Sequence, residues 1–222
     1  MKLRFSGWLG AFLVAATVLV ALLSLVWTPY DPTLAHPDVR LAGPSAEHLL
    51  GTDRFGRDTA SRIMAGAQIT VFVGLVAVGI AALVGVPLGI LAGMRRGTWV
   101  DALVMRGADL LLAFPALLLA IIAGAVWGPS TLTAMVAIGI AGIPSFARVA
   151  RSGTLQVITQ DFISSARISA VPGWKVALRH ILPNLTGLLI VQASVYFALA
   201  ILAEAGLSYL GLGTAPPAAS WG

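Results

Sequence analysis

The chain has 222 residues, of which 58% are hydrophobic and 10% charged, and its formal net charge is +5. Soluble domains carry about 25% charged residues, so this composition excludes a water-exposed globular domain and predicts an all-α membrane protein in contact with the lipid bilayer. Cysteine is absent, which excludes disulfides and thiolate metal sites. The three histidines are too scattered for a metal site, and no metal, cofactor or nucleic acid is expected as a partner.

Five apolar segments reach the roughly 20 residues that a membrane-spanning helix needs. In chain order they are Trp8–Trp27, Ile69–Met94, Ala108–Trp127, Leu132–Val149 and Leu185–Leu207. The first is longer than the core of a secretory signal and lacks a clear cleavage site, so an uncleaved helix is predicted in preference to a cleaved signal. Pro87 and Pro115 lie inside apolar segments and predict kinks there.

The basic residues predict the orientation, because cytoplasmic loops of membrane proteins are enriched in Lys and Arg. With the N-terminus inside, ten basic residues are cytoplasmic: Lys2, Arg4, Arg95, Arg96, Arg106, Arg148, Arg151, Arg167, Lys175 and Arg179. Four are outside: Arg40, Arg54, Arg57 and Arg62. The chain then divides into a first helix (1–28), an extracytoplasmic segment (29–68) and a core (69–222).

Small residues in the second span predict close helix packing. Gly85, Gly89 and Gly93 recur every fourth residue and share one helix face. In lipid, such a face lets two backbones approach closely. The alternative is that these glycines are tolerated by chance in a glycine-rich chain.

The sequence contains no motif for catalysis. GxxxxGK[ST], HExxH and GxSxG are all absent, so no catalytic residue is assigned, the chain is not expected to be an enzyme, and its energy source is expected on another chain. Glu204 is expected near the outer end of the fifth span, within reach of water. Asp109 is expected at the inner start of the third span, where an acid suits the helix dipole. Neither is placed as a proton relay.

A polar basic loop precedes the fifth span and is called here the EAA-like loop (residues 151–183). Its pattern predicts a helix over Leu155–Ala170, a break at Pro172-Gly173 and a second helix over Trp174–Ile181. Pro183 is expected to end the second helix and Asn184 to cap the next one. The alternative is a basic loop that only fixes the topology.

This loop resembles the cytoplasmic "EAA" loop of ABC-importer permeases, whose pattern is EAA, three residues, Gly, nine residues, then I-x-L-P. Three positions depart from the pattern, with Ser for Glu, Ser for Ala and Ala for Gly. The matched positions are Ser164, Ser165 and Ala166 for EAA, Ala170 for Gly, His180 for Ile and Pro183 for Pro.

Three further stretches are similar to the smaller permease subunit of dipeptide, oligopeptide and nickel ABC importers. They are "HLLGTDRFGRD" (48–58), "FARVARSGTLQV" (146–157) and "EAGLSYLGLGTAPPAASWG" (204–222). The first contains the extracytoplasmic signature residues Gly51, Thr52, Asp53, Gly56, Arg57 and Asp58. Two interpretations of this signature loop (residues 48–58) are open: a turn with internal ion pairs that caps a helix starting near Thr59, or an element that meets a binding protein or shapes an outer gate.

The resemblance implies a type I ABC-importer permease bundle in a bacterial or archaeal inner membrane. Such a subunit forms half of a translocation pathway for peptides or a related small solute such as a nickel chelate. The implied partners are a sister permease in a heterodimer, two cytoplasmic ATPases and an extracytoplasmic solute-binding protein. The family has six spans, so the sixth is expected to be missing here. A secondary carrier or channel, or an intramembrane enzyme or assembly factor, are the alternatives.

The resemblance also implies which residues transmit the ATPase movement. The helix face formed by Ile163, Ala166 and Ala170 is expected to dock in a groove of the ATPase, with Arg167 reaching an acidic rim. Position 166 is then expected to touch neither lipid nor the helix core. The remaining implied residues of the loop are Asp161, Ser164, Ser165, Gly173, His180 and Pro183.

Overall fold

The computed structural model describes residues 5–221, with the side chains of Ser6 and Arg167 outside the described part. Within that range the chain is helical and forms no named strand. The helices are α1 (Phe5–Ser24), α2 (Thr59–Met94), α3 (Trp99–Leu112), α4 (Ala116–Trp127), α5 (Thr131–Val157), α6 (Asp161–Ile168), α7 (Gly173–Val176) and α8 (Leu182–Tyr209). A 3₁₀ turn covers Pro37–Val39, and a π-helical turn over Ala177–Ile181 joins α7 to α8.

Within residues 5–221, four stretches of helix are long and apolar enough to cross a membrane: α1, α2, α5 and the continuous Gly173–Tyr209. The predicted third span is different, because α3 and α4 meet at an angle of 80° and together make at most one broken span. The bend lies at Pro115, which caps α4 and has no N–H to continue a helix. The kink expected there is confirmed, and the bent pair begins at Trp99, ahead of the predicted start at Ala108.

The helix ends depart from the sequence prediction in the EAA-like loop. One continuous helix over Leu155–Ala170 is wrong, since α5 runs on to Val157 and α6 starts only at Asp161. Pro183 does not end a helix. It occupies the first turn of α8, where a missing N–H is tolerated. Asn184 is not a cap either, because its side chain donates to the carbonyl of His180 at 2.7 Å.

The centre of the bundle is the pair α2 and α5, which touch through the glycine face of α2. A Cβ added to Gly85 would lie 2.5 Å from the carbonyl oxygen of Ile143, and one added to Gly93 would lie 2.7 Å from the Cβ of Thr154. A Cβ on Gly89 would collide with the backbone of Ala147. The two backbones therefore approach each other too closely for any side chain at these positions.

Substitution within α2 tests this contact. Gly89→Ala should lower the free energy of unfolding by about 1–3 kcal/mol, the usual cost of overpacking a fitted site. Gly79→Ala is the matched control, since a Cβ there meets nothing within 4 Å, and alanine is the better helix former by about 0.5–1 kcal/mol. Thermal unfolding midpoints in one detergent measure both. Equal midpoints for the two variants would contradict the packing.

Candidate functional site

Helix α6 of the EAA-like loop is anchored to the bundle by residues of the face that the resemblance implies as the ATPase docking face. Ile163 is completely buried and Ala166 is 9% exposed. Both belong to the same apolar cluster as Val176, Ile181 and Leu185. The expectation that position 166 touches no helix core is therefore wrong, because Ala166 packs with Ile163 in that cluster. The apolar pattern of α6 is satisfied inside this chain.

The opposite face of α6 is open. Asp161, Ser164 and Ser165 are exposed, and the large apolar side chain of Ile168 is 87% exposed. The hydroxyl of Ser165 donates back to the carbonyl of Asp161 at 3.1 Å. The side chain of Arg167 lies outside the described residues. The structure thus brings two of the three EAA positions, Ser164 and Ser165, to one exposed surface.

The end of α6 explains why a glycine suits the next matched position. Ala170 has a φ of +52°, in the left-handed region. The N–H of Val171 donates to the carbonyl of Ala166 at 3.0 Å, which is the long bond of a Schellman motif. A left-handed residue follows a helix in this motif, and it is usually glycine. Ala170 therefore occupies a strained position that fixes the turn between α6 and α7.

The remaining positions of the loop lie near α7 and the π-helical turn. The ring of His180 lies 6.2 Å from that of Phe162, which connects the turn to α6. Gly173 opens α7 and faces the end of Met94 on α2, since an added Cβ would lie 3.6 Å from its methyl carbon. Pro183 is in the first turn of α8.

Two ion pairs, which no local sequence pattern predicts, link α5 to α3 where the EAA-like loop begins. Arg151 on α5 binds both carboxylate oxygens of Asp101 on α3, at 2.6 and 2.8 Å. Arg148 pairs with Asp109, which lies in the last turns of α3. The expected position of Asp109 at the start of a helix is therefore wrong. Residues 50 apart in sequence carry no local signal of such pairing.

The signature loop is an internally bonded turn. Asp53 accepts hydrogen bonds from the backbone of Phe55 and from the backbone and side chain of Arg57, at 2.8, 3.0 and 2.8 Å. Burial raises the pKa of Asp53, but these bonds outweigh it and hold the pKa below its ordinary value. Gly51 and Gly56 have φ of +70° and +77° and lie against the backbones of Ala42 and His36.

Asp58 caps α2 and is nearly inaccessible to solvent, at 3% exposed. One carboxylate oxygen accepts from the N–H and hydroxyl of Ser61 at 2.8 and 2.7 Å. The other lies 3.0 Å from Nδ1 of His48. Burial raises the pKa of Asp58, but the bonds from Ser61 and His48 together lower it by more. The net pKa lies below its ordinary value, so the carboxyl stays ionised at neutral pH. The hydroxyl of Thr52 donates to the carbonyl of Val39 and closes the other side of the turn.

Glu204 near the C-terminal end of α8 is buried, at 1% exposed, so the expectation that water reaches it is wrong. The segment after α8 folds back over it. One carboxylate oxygen accepts from the hydroxyls of Ser208 at 2.6 Å and Thr214 at 2.8 Å. Thr214 in turn contacts the hydroxyl of Thr131 at the start of α5, at 3.2 Å. Glu204 therefore links the C-terminal end of α8 to the N-terminal end of α5.

Comparison with known proteins identifies relatives along most of the chain. The profile of the family described as binding-protein-dependent transport system inner membrane component matches residues 85–222. A dipeptide transport system permease of Alkalihalophilus pseudofirmus is 40% identical over 96% of this chain and 70% of its own length. A glutathione transport system permease of Pectobacterium atrosepticum is 40% identical, over 94% of this chain and 71% of its own length.

A solved structure shares the fold. The methionine ABC transporter MetNI in an inward-facing conformation superimposes with a TM-score of 0.61, over 69% of this chain and 76% of the matched chain. The sequence identity is 18%, so this likeness bears on the fold alone. The expected type I ABC-importer permease fold is confirmed.

Replacing the strained residue of the loop tests its geometry. Ala170→Gly should raise the stability of the α6 turn by about 1 kcal/mol, since a left-handed residue with a Cβ costs about 1–2 kcal/mol and glycine loses part of that gain in chain entropy. Amide hydrogen exchange of residues 163–171 should slow accordingly. Gly187→Ala in α8, where a Cβ meets nothing within 4 Å, should leave that exchange unchanged. Faster exchange in Ala170→Gly would contradict the assigned turn.

Proposed function

The chain belongs to the family of binding-protein-dependent inner-membrane transport components, the permeases of ABC importers, and we propose that it passes ATPase movement into its bundle through the exposed face of α6. The resemblance seen in the sequence to peptide-importer permeases is confirmed. As a multi-pass membrane component, the chain provides a pathway and no catalysis. The coupling to ATPases, the face of α6 that binds them and the identity of the solute are proposals.

The anchoring of α6 is the observation that supports this proposal. Ile163 and Ala166 lock the helix into the apolar cluster that contains Ile181 and Leu185 at the start of α8. A force applied to the exposed face therefore acts on α8 directly. It also acts on α5, which leads into α6 through a turn of three residues, Ile158–Gln160. The ion pair of Arg151 with Asp101 extends this connection to α3.

The proposed docking surface is the exposed side of α6 and contains Asp161, Ser164, Ser165 and Ile168. Short helices often bind by inserting an apolar side chain into a groove of a partner. Ile168 is the candidate anchor, since it is 87% exposed although large and apolar. Ser164 and Ser165 are small enough to let the helix approach the partner closely.

The solute and the remaining partners follow from the relatives. Relatives are named as dipeptide, peptide and glutathione transport permeases, so we propose a short peptide or peptide-like solute, with a nickel chelate as a second possibility by resemblance. A sister permease would complete the pathway in a heterodimer. An extracytoplasmic solute-binding protein would meet the outer surface near the signature loop, whose turn is held rigid by Asp53 and Asp58.

The proposed orientation places the N-terminus and the EAA-like loop in the cytoplasm. A membrane-impermeant thiol reagent added to intact cells should label Arg40→Cys and spare Ser165→Cys. Both positions are exposed on the protein, and the native chain contains no cysteine. Labelling after cell lysis is the control for reactivity. Labelling of position 165 in intact cells would contradict the proposed orientation.

Two charged substitutions on opposite faces of α6 test the coupling surface. Ile168→Glu should leave folding intact and reduce the affinity for the ATPase about thirtyfold, since an interface anchor is worth about 2 kcal/mol. Ala166→Arg should instead lower the unfolding midpoint, because it overpacks a fitted site and buries a charge. ATPase co-purification, solute uptake and unfolding are measured on the complete importer.

Ile168→Leu is the conservative control and should retain the ATPase and uptake. Normal uptake with the ATPase still bound in Ile168→Glu would exclude this face as the coupling surface. Uptake that persists without ATP in vesicles with an ion gradient would support a secondary carrier in place of an ABC importer.

A further inference from the structure

An apolar groove of about 490 Å³ lies on the side of the bundle between α2 and the segment that enters α8. One wall is the α2 face from Val86 to Met94, and the other contains Trp174, Leu178 and Leu182. At 1.5 Å per residue the α2 wall is about 12 Å long. One leaflet of a bilayer has a hydrocarbon depth of about 15 Å. The α2 wall therefore spans most of the depth that a lipid acyl chain occupies within one leaflet.

One end of the groove is positively charged. Arg95 lines it directly, and Nζ of Lys175 lies 5.4 Å from the ring centroid of Trp174 on the opposite wall. Arg96 and Arg179 are exposed close by in sequence. Among residues 5–221, none of these four cations forms an ion pair with a carboxylate. Arg96 lies close enough to Asp101 to lower the pKa of that carboxyl, whereas Arg95 and Lys175 remain available to an anionic partner.

The two segments that form the walls contain no acidic residue. The sequence contains no Asp or Glu between Thr59 and Val100, and none between Phe162 and Ala203. Asp101 is the next acid along the chain after the α2 wall, and Arg151 already occupies both of its oxygens. The groove therefore combines an apolar floor with a cationic end, where Arg95 and Lys175 form no ion pair among residues 5–221.

We propose that this groove binds an anionic phospholipid, with one acyl chain along α2 and the phosphate held by Arg95 and Lys175. Basic pockets between helices at the cytoplasmic surface favour anionic head groups, at about 1 kcal/mol per cation. Trp174, which is 63% exposed, is the residue type enriched at the level of the head groups. The proposal rests on the cytoplasmic placement of this end of α2 and is independent of ATPase docking.

Native mass spectrometry of the purified full chain in detergent tests the site with two lipids of matched acyl chains. Phosphatidylglycerol should be retained more strongly than phosphatidylcholine. Arg95→Glu should weaken phosphatidylglycerol binding at least about fivefold, the equivalent of about 1 kcal/mol for one cation. Arg106→Glu is the matched control, because Arg106 is also exposed and is placed on the same side of the membrane. It should leave binding unchanged.

A second variant tests the acyl-chain part of the site without changing charge. Leu91 lines the groove and is 42% exposed, so Leu91→Trp should fill the groove and release the lipid while the fold is kept. Equal retention of the two lipids, or equal loss in Arg95→Glu and Arg106→Glu, would overturn the proposal. Displacement of the lipid by glycerol phosphate alone would reduce the site to an anion site and also overturn it.

Discussion

The close approach of the α2 and α5 backbones is the contact on which the rest of this structure depends. Lipid offers no hydrophobic force to bring helices together, so a membrane bundle is held by dispersion contacts between well-fitted surfaces. Gly85, Gly89 and Gly93 leave no space for side chains against α5. Because α5 is fixed along most of its length, its C-terminal end positions the EAA-like loop and its N-terminal end positions the turn around Glu204.

Among residues 5–221, the buried carboxylates lie near helix ends and are bonded there by the chain itself. Asp58 caps α2, Glu204 ties the segment after α8 to its own helix, and Asp101 binds Arg151 through both oxygens. An unpaired polar group in a low-dielectric surrounding is expensive, so each of these pairs fixes the helices that it joins. The mobile parts of a transport cycle are therefore expected to be whole helices rather than single side chains.

The apolar segments and the glycine face of α2 could be predicted because each depends on local pattern. A kink at Pro115 could be predicted, but its angle of 80° could not, since hydropathy continues across the proline. The inward face of α6 could not be predicted, because apolar residues occur on both of its sides, with Ile163 buried and Ile168 exposed. The position of Pro183 could not be predicted either, because proline occurs both in the first turn of a helix and just after its end.

The central claim is that α6 holds the bundle with one face and the ATPase with the other. Site-specific photo-cross-linking in membranes containing the complete importer tests it most directly, with a photoreactive amino acid at Ser165 or Ile168 on one face and at Ile163 on the other. Cross-links to the ATPase from positions 165 and 168, and to α8 of this chain from position 163, are the predicted result. ATPase cross-links from position 163 but not from 168 would contradict it.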